Sequence, residues 1–76
     1  MNKERRETIA KAVSLIEEAR ALLEDARDGE QEYKDNMPES LQNGDKGERA
    51  DNAISELESA ISNLEDAQSS AENASE

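Results

Sequence analysis

The chain has 76 residues and a net charge of −11, from 20 acidic and 9 basic side chains, with no cysteine, no histidine and a single aromatic residue, Tyr33. That length allows one domain at most, burying only about 60–65% of the surface its unfolded form exposes. The missing residue types exclude disulfides, thiolate metal sites, thiol catalysis and the usual neutral-pH proton shuttle, and no apolar run approaches the roughly 18–20 residues of a membrane span.

The opening segment Met1-Asn2-Lys3-Glu4-Arg5-Arg6 has no apolar stretch behind it to form a signal peptide, so the expected location is the cytoplasm. Asn2 is placed to cap a helix that the spacing predicts over residues 3–35. Ile9, Ala12, Ile16, Ala19, Leu23 and Ala26 recur at intervals of three and four, which defines the a and d positions of a heptad written abcdefg. The same register carries Tyr33 onto that seam. Leu15 and Leu22 at g and Val13 at e widen the stripe beyond a two-stranded zipper, toward a face that touches more than one neighbour. Gly29 weakens the helix by about 1 kcal/mol relative to Ala without ending it.

Residues 36–45 are expected to form a connector with a single turn of helix. Asn36 can cap, Pro38 suits a first helical turn, and Gly44 can supply a left-handed stop. Met37 and Leu41, four apart, then form the apolar face of that turn and plug the open end of a hairpin. A second helix over 46–74 begins at Asp45-Lys46-Gly47-Glu48, which has the spacing of a capping box. Its seam is Ala50, Ile54, Leu57, Ile61, Leu64 and Ala71. Ala53, Ala60, Ala67 and Ala74 recur every seven residues beside it, and a small residue once per heptad lets two backbones approach closely.

Relative direction is also readable. In an antiparallel pair e faces e, so Arg20 and Arg27 meet Asp51, Glu58, Glu65 and Glu72, while at the other edge large Leu15 and Leu22 face small Ala60 and Ala67. A short connector gives the same antiparallel answer. The fold class expected is all-α: an antiparallel helical hairpin that dimerises into a four-helix bundle, its core and dimer seam built from Ile9, Leu15, Ile16, Leu22, Leu23, Ile54, Leu57, Ile61 and Leu64.

The charge is unevenly placed. Residues 1–27 balance six basic side chains (Lys3, Arg5, Arg6, Lys11, Arg20, Arg27) against six acidic ones, whereas no positive charge follows Arg49. Direct nucleic-acid binding is not expected, because its affinity comes largely from cations that release counterions. A protein partner with a basic surface fits better.

No constellation points to catalysis or to a cofactor. Glu17-Glu18, Glu24-Asp25 and Glu65-Asp66 are adjacent on helices and do not face each other, so they read as solvated surface rather than as an acid–base pair. Asp28-Gly29-Glu30-Gln31-Glu32 places its glycine second, where a calcium loop needs it sixth. Asn43-Gly44-Asp45-Lys46-Gly47 lacks the strand and the Gly-Lys-Ser/Thr ending of a phosphate loop. Asn73-Ala74-Ser75 matches a glycosylation sequon that only a secreted chain would use. Tyr33 is a candidate binding contact, although packing on the connector near Met37 or Leu41 is the plainer expectation. The most specific feature is the row Asp51, Glu58, Glu65 and Glu72, spaced about 10 Å apart along one helix edge. It is either the ordinary solvated edge of a bundle or a negative ridge that mimics DNA.

The stretch Tyr33-Lys34-Asp35-Asn36-Met37-Pro38-Glu39-Ser40-Leu41-Gln42, followed by Gly47-Glu48-Arg49-Ala50, resembles the tyrosine-to-NMPE(N/S)LQ segment of a family of small acidic bacterial and phage proteins of uncharacterised function. The resemblance implies a helical hairpin from a bacterial or mobile-element setting and transfers no catalytic or binding residues. The functional expectation is a non-enzymatic interaction protein without cofactor or metal, forming a homodimer and binding a protein partner. The alternative is a DNA-mimic inhibitor of a nuclease, restriction or defence protein.

Overall fold

Asn2 begins the first helix as its side-chain chemistry suggests, its Oδ1 accepting the Arg5 backbone N–H at 2.8 Å. In the computed structural model, which describes residues 1–76, this helix is α1 (Lys3–Asp35), followed by α2 (Glu39–Gln42) and α3 (Asp45–Ala74). α1 ends where Pro38 approaches. Asn36 and Met37 donate their N–H groups to the carbonyls of Glu32 and Lys34, both at 3.0 Å, and the proline, with no N–H of its own, cannot extend the ladder. Lys34 in the last turn suits the negative end of the helix dipole.

The connector is one turn of helix held from both sides. Leu41 and Gln42 donate to the Pro38 carbonyl at 2.8 and 3.1 Å, and the Gln42 side chain returns to the Met37 carbonyl at 3.0 Å. Met37 is buried, but Leu41 is not, so only one of the two residues expected to close the hairpin does so. Gly44 takes φ −101° and ψ −167° and is not the left-handed stop that its type suggested. Gly44 instead occupies the N-cap of α3, and the expected capping box does not form. Asp45 falls inside the first turn, where its charge suits the positive end of the helix dipole.

Gly47 is the residue that docks the connector. A Cβ built there would lie 1.8 Å from the Gln42 carbonyl oxygen and 2.5 Å from its carbon. Only a residue without a side chain lets the end of α2 rest on the first turn of α3.

α1 and α3 pack antiparallel into a rod of 58 × 14 × 12 Å. The pairs Lys34 with Asp51, Arg20 with Glu65 and Glu17 with Gln68 set one register, in which paired residue numbers sum to 85. Residues before about position 9 of α1 therefore extend beyond the last residues of α3.

The seam of α3 is the predicted one: Ala50, Ile54 and Ile61 are buried and Leu57, Leu64 and Ala71 half-buried. The seam of α1 differs from the expected a/d pattern. Ile9, Ile16 and Leu23 at a are half-buried, but their companions are Val13, Arg20, Arg27 and Lys34 at e, whereas of the d residues Ala19 is half-buried and Ala12, Ala26 and Tyr33 are exposed. The physical reason is reach. The aliphatic stems of Arg20, Arg27 and Lys34 cover more of the seam of α3 than an alanine methyl does, while their heads gain the acidic edge. The resulting core is thin. Its fully enclosed apolar members are Met37, Ala50, Ile54 and Ile61.

Candidate interaction surfaces

The helix pairing creates two long surfaces of opposite character. Successive residues turn 100° around a helix, so the row Asp51, Glu58, Glu65 and Glu72 lies to one side of the α3 seam and the row Ala53, Ala60, Ala67 and Ala74 to the other. Because Lys34 and Arg20 of α1 reach the acidic row, that row and the e row of α1 share one broad side of the hairpin. The d and g residues of α1 then share the opposite side with the alanines of α3.

On the acidic side the predicted ridge is partly neutralised. Lys34 bonds to Asp51, and the Arg20 guanidinium lies 3.6 Å from Glu65 and equally far from Glu24. Arg20 also donates to Gln68 at 3.2 Å, and Gln68 in turn donates to Glu17 at 3.1 Å. This polar layer ties the middle of the two helices in one register. It is incomplete, since the buried Nε of Arg20 has no partner. Arg27 stands opposite Glu58 in the register but turns to its neighbour Asp28, at 3.1 Å. Glu58 and Glu72 are exposed and carry no ion pair. Two heptads separate them, about 21 Å along the axis, so their charge is far sparser than the phosphates of DNA at about 1.7 Å of axis per charge.

On the opposite side lies an apolar strip. Ala12, Leu15, Ala19, Leu22 and Ala26 follow one another at spacings of three and four, with Tyr33 one heptad beyond Ala26. Leu15, Leu22 and Tyr33 are 58%, 66% and 52% exposed. The connector does not enclose Tyr33, against the expectation that it packs there. Leu15 and Leu22, named in the sequence for a core or dimer seam, lie outside the seam of the hairpin. On α3 the row beside the alanines is Arg49, Glu56, Asn63 and Ser70, and on α1 the row beside Leu15 and Leu22 is Lys11, Glu18, Asp25 and Glu32, so the strip is bordered by charge mainly on α1.

The remaining chemistry is sparse. The structure has no enclosed pocket, no cluster of acidic side chains arranged to hold a metal ion, and no helix long and apolar enough to cross a membrane. Gly47 and Gln68 are the structurally decisive residues that the sequence did not single out. The e row of α1, read there as a widening residue Val13 and edge charges Arg20 and Arg27, belongs with Lys34 to the seam itself. No protein-family model, curated protein or solved structure matches the chain.

Proposed function

We propose that this chain is a non-enzymatic interaction module of the cytoplasm that pairs through its apolar strip into a four-helix bundle and offers its acidic edges to a protein partner. The observation that carries this reading is the uncovered row Leu15, Leu22 and Tyr33 on a hairpin whose own core encloses four apolar residues. Surface area gives its scale. The chain exposes 5604 Å², whereas a compact protein of 8.4 kDa exposes about 4,600 Å². The excess of about 1,000 Å² is that of a thin rod, 58 × 14 × 12 Å, with little enclosed core of its own.

A second copy suits the strip better than a charged partner does. The row Asp51, Glu58, Glu65 and Glu72 lies on the other side of the hairpin, so two chains of net charge −11 can meet on the strip without opposing those rows, and large Leu15 and Leu22 run beside small Ala60 and Ala67 on the same face. The acidic edges point away from that contact. They remain free for a basic surface, with Glu58 and Glu72 the unpaired charges. The bacterial or phage setting implied by the connector motif is compatible with such an adaptor. The DNA-mimic alternative draws on the same two carboxylates and on a row whose other members are already bonded to Lys34 and Arg20, so it has less support.

Light scattering of the wild type and of Leu22→Glu tests the pairing. A dimeric wild type and a helical but monomeric variant support the reading, and equal masses oppose it. Glu58→Gln with Glu72→Gln tests the acidic edge: a basic partner retained by the wild type should be lost from the double variant, without change in its mass.

A further inference from the structure

Gly29 has no intramolecular role. It stands inside α1, ahead of its last turn, where glycine weakens a helix, yet it is exposed and a Cβ there would meet nothing within 4 Å. Gly29 also occupies the next place in the row Leu15 and Leu22, one heptad further on, so the row reads large, large, absent. Such a gap fits a neighbour that approaches closely from outside.

Resting on the pairing proposed above, we infer how the two copies lie: α1 packs antiparallel on α1 of the second copy, crossing at Leu22, so that the connectors point to opposite ends of the bundle. Residue numbers paired across this contact then sum to about 44. Leu15 of each copy comes level with Gly29 of the other, and its side chain fills the gap.

The same arrangement brings Lys11 of each copy level with Glu32 of the other, in the charged row beside the strip, which offsets the like charges of Glu18 and Asp25 that meet in the same row. The first two turns of α1, which extend past the end of α3 in the lone hairpin, lie against the connector of the second copy. The basic side chains Lys3, Arg5 and Arg6 of those turns then lie near an acidic connector, which carries Glu39 and is bounded by Asp35 and Asp45.

A bundle with both connectors at one end has the opposite properties. α1 would then face α3 of the second copy, Gly29 would sit opposite Glu56, and both basic N-terminal turns would project together at the far end, uncovered. The cover that the acidic connector gives the basic N-terminal turns favours the first arrangement.

The absence of cysteine makes the test direct. Leu22→Cys, oxidised by a glutathione couple, should become a disulfide-linked dimer, since the two copies of position 22 face each other near the axis. Leu15→Cys should not, because its two copies stand about 21 Å apart, far beyond disulfide reach. If reduced Leu22→Cys is dimeric by light scattering but does not crosslink, the arrangement is overturned while the pairing stands. If the reduced protein is monomeric and the wild type is monomeric too, the pairing itself fails.

Gly29→Leu supplies an independent readout. It should raise helicity yet weaken dimerisation at least tenfold, and adding Leu15→Ala should restore most of the affinity. An unchanged dissociation constant for Gly29→Leu would overturn the contact between Leu15 and Gly29.

Discussion

Gly47→Ala sets two effects of opposite sign against each other. Alanine is the better helix former by about 1 kcal/mol in a helix interior, so a lone α3 gains from the change. In the hairpin the new methyl would lie 1.8 Å from the Gln42 carbonyl oxygen and 2.9 Å from its Cα. These are backbone atoms of a turn already tied to Pro38, so α2 must lift away. Lifting it exposes Met37, now 9% exposed, at a cost of about 1.5–3 kcal/mol for full exposure. It also strains the Gln42 to Met37 hydrogen bond, worth about 1 kcal/mol net. The expected balance is a loss of about 1–3 kcal/mol. Urea unfolding followed by circular dichroism at 222 nm, on both proteins at equal concentration, measures it. A midpoint equal to or above that of the wild type would refute the docking role of Gly47.

Further substitutions probe the other elements by the same assay. Asn2→Ala removes the oxygen that accepts the Arg5 N–H and should cost about 1 kcal/mol, less if the first turn frays independently. Ile61→Ala, at a position 5% exposed, should cost about 2–4 kcal/mol. Arg20→Met keeps the stem that covers the seam while removing a head whose Nε is unpaired and whose ion pairs are partly exposed. It should stay within about 1 kcal/mol of wild type, whereas Arg20→Ala should fall below Arg20→Met.

The hairpin was legible because two runs of apolar residues at spacings of three and four flank a segment containing Pro38, Gly44 and Gly47. The direction of pairing was legible in the charges, and Arg20 does reach Glu65 across the edge. What misled the reading of α1 was scoring residues by polarity alone. Ala12 and Ala26 counted as seam residues and Arg20 and Arg27 only as edge charges meeting the acidic row, although their longer stems give the better cover. The role of Gly47 was not legible, since it depends on where the end of α2 comes to rest. Gly44 was misread for a related reason: its carbonyl accepts the Glu48 N–H at 3.0 Å, so the helix starts there and Asp45 is not its cap.

The apolar strip shows the same limitation from the other side. Leu15, Leu22 and the alanines were visible as a widened stripe, but which part faces α3 and which faces outward depended on the choice between the d and e rows. Only the paired structure separates an inner seam of Ile9, Ile16 and Leu23 from an outer strip of Leu15, Leu22 and Tyr33. That separation links the thin core of the hairpin to its proposed function.

Solution molar mass across a concentration series tests that link most directly. The wild type is expected at twice its 8.4 kDa chain mass at high concentration, with Leu22→Glu at the chain mass throughout. A wild type that remains at 8.4 kDa while fully helical and cooperatively folded would contradict the account.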